Sequence, residues 1–140
     1  MSVDRIKADT YVLHINPQQG SPVDGDSVSW FASVLYHERE HVAQGQRGQW
    51  GSTPAEEALS EARAFRAQAQ KAGELGLSRV QTRYTVLLAR QHHAIARHLR
   101  LIDAAVDGHR VPRDQLMKAQ GERRLWDSRV RKFRDAHQAQ

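Results

Sequence analysis

The sequence predicts a mainly α fold: a small helical domain with one or two short N-terminal strands and a C-terminal helical hairpin. Apolar residues recur at helical spacing through four long segments, and capping residues or Gly and Pro punctuate the ends of those segments. Only one stretch, near the N-terminus, alternates convincingly as a strand does. At 140 residues and 15.9 kDa, with 39% apolar and 26% charged residues, the chain is expected to be one domain with its own core.

Residues 10–16, TYVLHIN, alternate β-formers and stop at Pro17, which makes them a strand. The following run to Asp26, PQQGSPVDGD, is a loop by composition, and Asp26 or Ser27 can cap a helix starting near Ser27. That helix carries Trp30, Phe31, Val34, Leu35, His41 and Val42 on one face and should stop at Gly45 or Gly48. Thr53 followed by Pro54, Glu56 and Glu57 is a strong start signal for a second, Ala-rich helix to about residue 72. Gly73 to Gly76 reads as a break.

A long helix is then expected over 78–106, with Val80, Tyr84, Leu87, Gln91, Ile95, His98, Ile102 and Val106 along one stripe. Asp107-Gly108 ends it, Pro112 restarts the chain, and Leu116, Ala119, Trp126, Val130 and Phe133 mark a final helix that pairs with it as an antiparallel hairpin. The Gln/Ala/His tail is expected to fray. The single domain over 1–140 thus divides into a strand and loop (1–26), a pair of helices (27–72) and a hairpin (78–137).

Composition removes several function classes. Cysteine is absent, which excludes disulfides, thiolate nucleophiles and Cys-containing metal or iron–sulfur sites, so any metal must be held by His, Asp or Glu. No apolar run reaches the roughly 18 residues needed to cross a bilayer, and MSVDRIKADT lacks the apolar core of a secretory signal. The expected location is cytoplasmic, or outside the cell by a system that needs no cleavable signal, with no membrane partner. The net charge of +5 is uneven: residues 1–70 hold 6 Lys+Arg against 9 Asp+Glu, and residues 71–140 hold 15 against 7. Only 4 of the 21 basic residues are Lys, a bias that suits phosphate or carboxylate recognition and that a GC-rich coding sequence would also produce.

The chemistry is concentrated in residues 37–41, His-Glu-Arg-Glu-His, an H-E-x-x-H motif on the first helix. The i, i+4 spacing places both imidazoles on one face, about one turn apart, where they can bind a single Zn²⁺. Zinc lowers the pKa of a bound water to about 7, and Glu38 beside it can take the proton as that water attacks an amide carbonyl. With 8 His and 7 Glu in the chain, chance placement yields only about 0.02 such motifs. The plain alternative is a charged helix with two solvated histidines; the surrounding Val34, Leu35 and Val42 favour a half-buried helix instead.

These residues resemble the zincin metallopeptidases, and more narrowly the gluzincins, in which H-E-x-x-H is followed by a glutamate ligand on a later helix. The resemblance covers about residues 27–70. VLYHEREHVAQ followed by TPAEEALSEARAFRAQ is similar to compact bacterial metallopeptidase domains found in toxin and effector proteins, whose third ligand lies in an E-A-x-x-x-Q type helix. Glu61-Ala62, with Gln68 seven residues after Glu61, is the best match. The resemblance implies a zincin-like domain holding one Zn²⁺ per chain, with His37, His41 and Glu61 as ligands and Glu38 as general base. Glu57, one turn earlier, is the alternative ligand or a hydrogen-bond partner to one. The family usually has uncharged residues at the positions of Arg39 and Glu40, so an exposed outer face is expected there. The strand at 10–16 resembles the edge strand on which zincins bind extended substrate.

Candidates for stabilising the oxyanion are Tyr84, His92, His93 and His98, because related enzymes use a Tyr or His for this. The simpler reading makes Tyr84 and His98 core residues and His92-His93 a solvated pair; together these histidines are also a candidate second metal site. Trp30 and Trp126 read as core, and Trp50 as either a cleft residue or a loop staple. The expected function is zinc-dependent hydrolysis of a peptide or protein, in a bacterial effector or toxin with a possible inhibitory or immunity protein. Two alternatives stand beside it: a non-enzymatic module that binds nucleic acid or an acidic protein through residues 110–134, where Arg123, Arg124 and Arg129 to Arg134 interleave with Trp126 and Phe133, and a domain whose zinc is purely structural.

Overall fold

A computed structural model describes residues 2–7, 10–14, 20–49 and 51–139. Their elements run β1 (Ser2–Lys7), β2 (Thr10–His14), α1 (Ser27–Gln46), α2 (Pro54–Gln70), α3 (Ala72–Leu75), α4 (Arg79–Val106) and α5 (Arg113–Ala136). The fold is mainly α, as the periodicity predicts. The two strands pair as an antiparallel ribbon in which Val3 faces Leu13 and Asp4 faces Val12, with a register irregularity between Arg5 and Lys7. β1 lies against α1. No helix among the described residues is long and apolar enough to cross a membrane.

Three helix starts follow directly from capping chemistry. Asp26 accepts from the Ser29 amide, Thr53 accepts from the Glu56 amide with Pro54 opening α2, and Ser78 forms a reciprocal capping box with Gln81. Each cap satisfies a backbone N–H that has no partner inside its own helix. Gly76, at φ 75°, terminates α3 in the left-handed conformation that glycine adopts without a Cβ clash.

Packing proceeds from helix to helix. α2 turns small residues, Ala55, Ala58 and Ala62 among them, into the buried interior, and it makes its most extensive contact with α4. Small side chains permit that close approach. α4 in turn pairs with α5 as the expected hairpin, clasped by Gln91 donating to Asp127 at 3.0 Å and by an Arg97–Glu122 ion pair at 2.8 Å. The apolar core of Val23, Trp30, Tyr84, Leu87 and Val130 is flanked by Val34, Leu77, Trp126 and Phe133. Trp30 is therefore core and Trp126 borders it, whereas Trp50 lies outside the described residues.

Gln81 ties the entry loop to this core. It is fully buried, and its side-chain amide donates to Ser21 Oγ at 3.1 Å and to the Asp26 carbonyl at 2.9 Å while accepting from the Ser78 amide at 3.0 Å. Gly25, at φ 144°, passes so close to Gln81 that a Cβ would collide with its amide.

The structure refines the expected elements. Of the one or two strands expected there are two, the first at Ser2–Lys7, where the charges of Asp4, Arg5 and Lys7 obscure the alternation. Residues 15–16 of the expected strand lie outside the described residues, and β2 is recorded only to His14. The presumed break at Gly73 sits inside the short helix α3, because the chain takes one more helical turn before Gly76 stops it. The tail is docked through residue 138: the Asp24 amide donates to the His137 carbonyl at 2.8 Å, and Val23 bridges Gln138. At the far end of α4, Val106 belongs to the expected apolar stripe yet is 79% exposed, since the helix outruns the core that buries Tyr84 and Leu87.

Replacing Gln81 by Leu removes three hydrogen bonds from a fully buried position and should destabilise the fold by about 2–4 kcal/mol. Urea denaturation of the variant beside the parent checks this, and an unchanged midpoint would contradict it.

Candidate metal centre

α1 presents Ser33, His37, His41 and Gln44 at intervals of four, four and three, a polar stripe along one helical face. All four are buried, and the face meets α2 at Ser60, Glu61, Phe65 and Gln68. Burying polar groups is tolerated only when they are satisfied, and here they form a connected network. Ser33 Oγ donates to the Trp30 carbonyl at 2.7 Å and accepts from Gln68 Nε2 at 2.8 Å. This fixes the Gln68 amide so that its oxygen faces His37 Nδ1 at 3.1 Å. Gln44 Nε2 donates to the Ser60 carbonyl at 3.3 Å, an atom that can only accept, so the Gln44 oxygen faces His41 Nδ1 at 3.3 Å.

Both imidazoles must therefore donate from Nδ1, which leaves the lone pair on each neutral ring at Nε2. The two Nε2 atoms lie 3.1 Å apart. Glu61 closes the triangle, with Oε2 at 3.2 Å from His37 Nε2 and Oε1 at 2.5 Å from His41 Nε2. Phe65 packs against the His37 ring at a centroid distance of 4.4 Å and restricts its rotation. Three electron-rich atoms converge, and only a shared proton or a cation relieves their mutual repulsion.

The protonation balance follows the same logic. Burial pushes the Glu61 carboxyl up, but the hydrogen bonds and charge that His37 and His41 supply once their Nε2 atoms are also protonated outweigh it and hold the carboxyl well below the usual range. Burial lowers His41, but the hydrogen bond and charge of Glu61, helped by Gln44 and Glu38, leave it raised. Glu38, one position after His37, is buried and makes no hydrogen bond to a described residue; burial raises its pKa against the opposing pull of the two histidines. A carboxylate buried without a partner among the described residues is suited to meet a ligand, an ion or a water.

Two imidazole nitrogens and one carboxylate oxygen form the donor set of three-ligand catalytic zinc sites, which leave a position open. Separations near 3 Å suit donors that each stand about 2 Å from one ion. The residues present therefore fit Zn²⁺. Among the described residues no other group of three or more His, Cys, Asp or Glu side chains converges in this way. His92 and His93 thus belong to no such group among the described residues.

The remaining candidates are distributed unevenly. Glu57 is exposed one turn before Glu61 and is not part of the triangle. His92 approaches from α4: Nδ1 donates to the Leu88 carbonyl at 2.8 Å, and its ring packs at a tilt with its centre 5.0 Å from that of Phe65, so one aromatic ring separates it from His37. His93 is exposed on a neighbouring groove. Tyr84 is in the core, packed on Trp30 and Phe133 with Arg134 beside its hydroxyl. His98 sits between α4 and α5, where Arg123 donates to its Nδ1 at 3.2 Å. Tyr84 and His98 face the α5 side of α4 because that helix must cover the core, so neither is brought to the triangle. Arg39 is exposed as expected, while Glu40 is half-buried.

Sequence reasoning missed Ser33, Gln44, Ser60 and Phe65 as supports of the site. The signal for the first two was present: polar residues at 33, 37, 41 and 44 repeat on a face that would otherwise be apolar.

Gln68→Leu removes the acceptor that holds the His37 ring and should weaken zinc affinity about 10- to 100-fold with helix content unchanged. Competition against a chromophoric chelator measures this, with Gln70→Leu, an exposed neighbour, as the control that should bind zinc normally. Equal affinities in both variants would remove Gln68 from the site.

Comparison with protein-family models, with the curated proteins and with the solved structures finds no match for this chain.

Proposed function

We propose that this protein is a zinc-dependent peptidase of gluzincin type, in which His37, His41 and Glu61 hold one zinc ion and Glu38 is the general base. The observation that carries the proposal is the convergence of His37 Nε2, His41 Nε2 and the Glu61 carboxylate within a network that fixes both imidazole tautomers. Beside that triangle stands the buried Glu38 carboxylate, which makes no hydrogen bond to a described residue.

Zinc at this position would supply Lewis acidity, polarising a carbonyl and acidifying water. Glu38 accepts the proton of the attacking water at a carboxylate oxygen and delivers it to the departing amine nitrogen, so that one carboxylate serves both halves of amide hydrolysis. Its raised pKa suits it to hold that proton between the two transfers. Gln68 and Gln44 keep the imidazoles oriented throughout, and Phe65 blocks ring rotation of His37. A substrate chain could align along the ribbon, since β1 lies against the helix that carries His37 and His41. The compact domain and its resemblance to effector-type peptidases support a bacterial effector or toxin acting on a peptide or protein.

Glu38→Gln keeps the shape of the side chain and cannot take the proton. The variant should retain zinc and fold while peptide hydrolysis falls by at least about 100-fold. Hydrolysis of a fluorogenic peptide library, measured for parent and variant at equal zinc content, checks this. Turnover retained by Glu38→Gln would remove Glu38 from its role; absence of turnover in a zinc-loaded parent would favour a structural metal.

A further inference from the structure

α2 has a second working face. Glu61, Phe65 and Gln68 point to α1, whereas Ala62, Arg66 and Ala69 lie on the side turned away from them and line an open groove of about 730 Å³ against α4. A second groove of about 850 Å³ continues across α4 towards α5, and the two share Val86 and Arg90. The floors are apolar, with Leu59 and Ala62 in one and Leu77 and Leu87 in the other.

The rims are cationic. Arg63 and Arg66 edge the first groove, and Arg79, Arg83 and Arg129 edge the second. None of these five forms an ion pair with a described residue, all are exposed, and no Asp or Glu is among the lining residues of either groove. Elsewhere on the hairpin Arg97 is matched by Glu122 on the facing helix. Unpaired guanidiniums repel one another, and a carboxylate-bearing partner would relieve that repulsion through forked hydrogen bonds.

We infer that the joined grooves over α2, α4 and α5 bind an acidic amphipathic segment of a partner protein. Its apolar side chains would enter over Val86 and its carboxylates would meet the flanking arginines. The apolar floor distinguishes this occupant from nucleic acid, whose phosphates need charge and whose bases need a free aromatic face. Trp126, the indole of the second groove, is engaged instead by Arg90 at 5.4 Å and Arg129 at 4.7 Å from its ring centre, and the first groove carries only the smaller imidazole of His93. An amphipathic helix laid in a groove with i, i+4 apolar anchors meets both requirements. The surface stands apart from the metal centre, on the other face of α2, so the two proposals fail independently.

The test uses the whole protein and a fluorescein-labelled synthetic peptide with leucines at helical spacing between glutamates. A copy with lysines in place of the glutamates and a labelled oligothymidylate are the comparisons, all followed by fluorescence polarisation. The glutamate peptide should bind saturably, and the lysine copy should not. Arg66→Glu combined with Arg83→Glu should weaken binding about tenfold or more, and Val86→Asp should weaken it as well, with circular dichroism unchanged. Glu38→Gln should bind like the parent. Failure of the glutamate peptide to bind, or binding that survives both groove variants, would overturn the inference. Oligothymidylate binding that needs the arginines but ignores Val86→Asp, and that exceeds peptide binding, would assign the grooves to a phosphate backbone instead.

Discussion

Two buried histidines that each donate from Nδ1 to a glutamine oxygen must turn their remaining lone pairs toward each other, and this constraint organises the α1–α2 half of the molecule. The glutamines have no freedom to reverse: Gln44 is held by the Ser60 carbonyl and Gln68 by a serine hydroxyl already committed to the Trp30 carbonyl. Leaving any one of these buried groups unsatisfied would cost about 1–3 kcal/mol, so the network specifies how α1 and α2 sit against each other as well as orienting the proposed metal ligands. Glu61 completes the arrangement by aiming negative charge at the two nitrogens. Without a cation, a proton on His41 is the available compensation, consistent with its raised pKa.

The rest of the fold frees that interface from other duties. Apolar stability is supplied elsewhere, by Trp30, Tyr84, Leu87 and Val130, together with the docked tail that closes over Val23. The alanines of α2 let α4 pack closely behind it, and α4 in turn carries α5. α2 is consequently shared by a polar site on one side and an arginine-rimmed groove on another, with its small residues between them.

Local chemistry was the legible part of the sequence. Asp26, Thr53 and Ser78 announce helix starts because each cap acts within three residues, and those starts appear where the caps place them. His37 and His41 share a face by spacing alone, and Glu61 rather than Glu57 meets them because of how α2 is rotated, which spacing does not decide. Long-range choices were hidden. β1 carries too many charges to show its alternation, and the tail docks through backbone contacts with residues more than a hundred positions away. Ser33 and Gln44 look like solvated helix residues until a second helix supplies Gln68 and Ser60. Tyr84 and His98 went to the α4–α5 side because α5 covers that face, a fact of tertiary packing that the stripe on α4 does not contain.

The central claim is that these side chains exist in this arrangement to hold a metal ion, and elemental analysis of the purified, tag-free protein beside His41→Ala and Glu61→Gln tests it most directly. The account predicts close to one zinc per chain in the parent and loss of that zinc in both variants, each still folded by circular dichroism. Absence of metal from the parent after zinc is supplied, or zinc retained in full by His41→Ala, would contradict it.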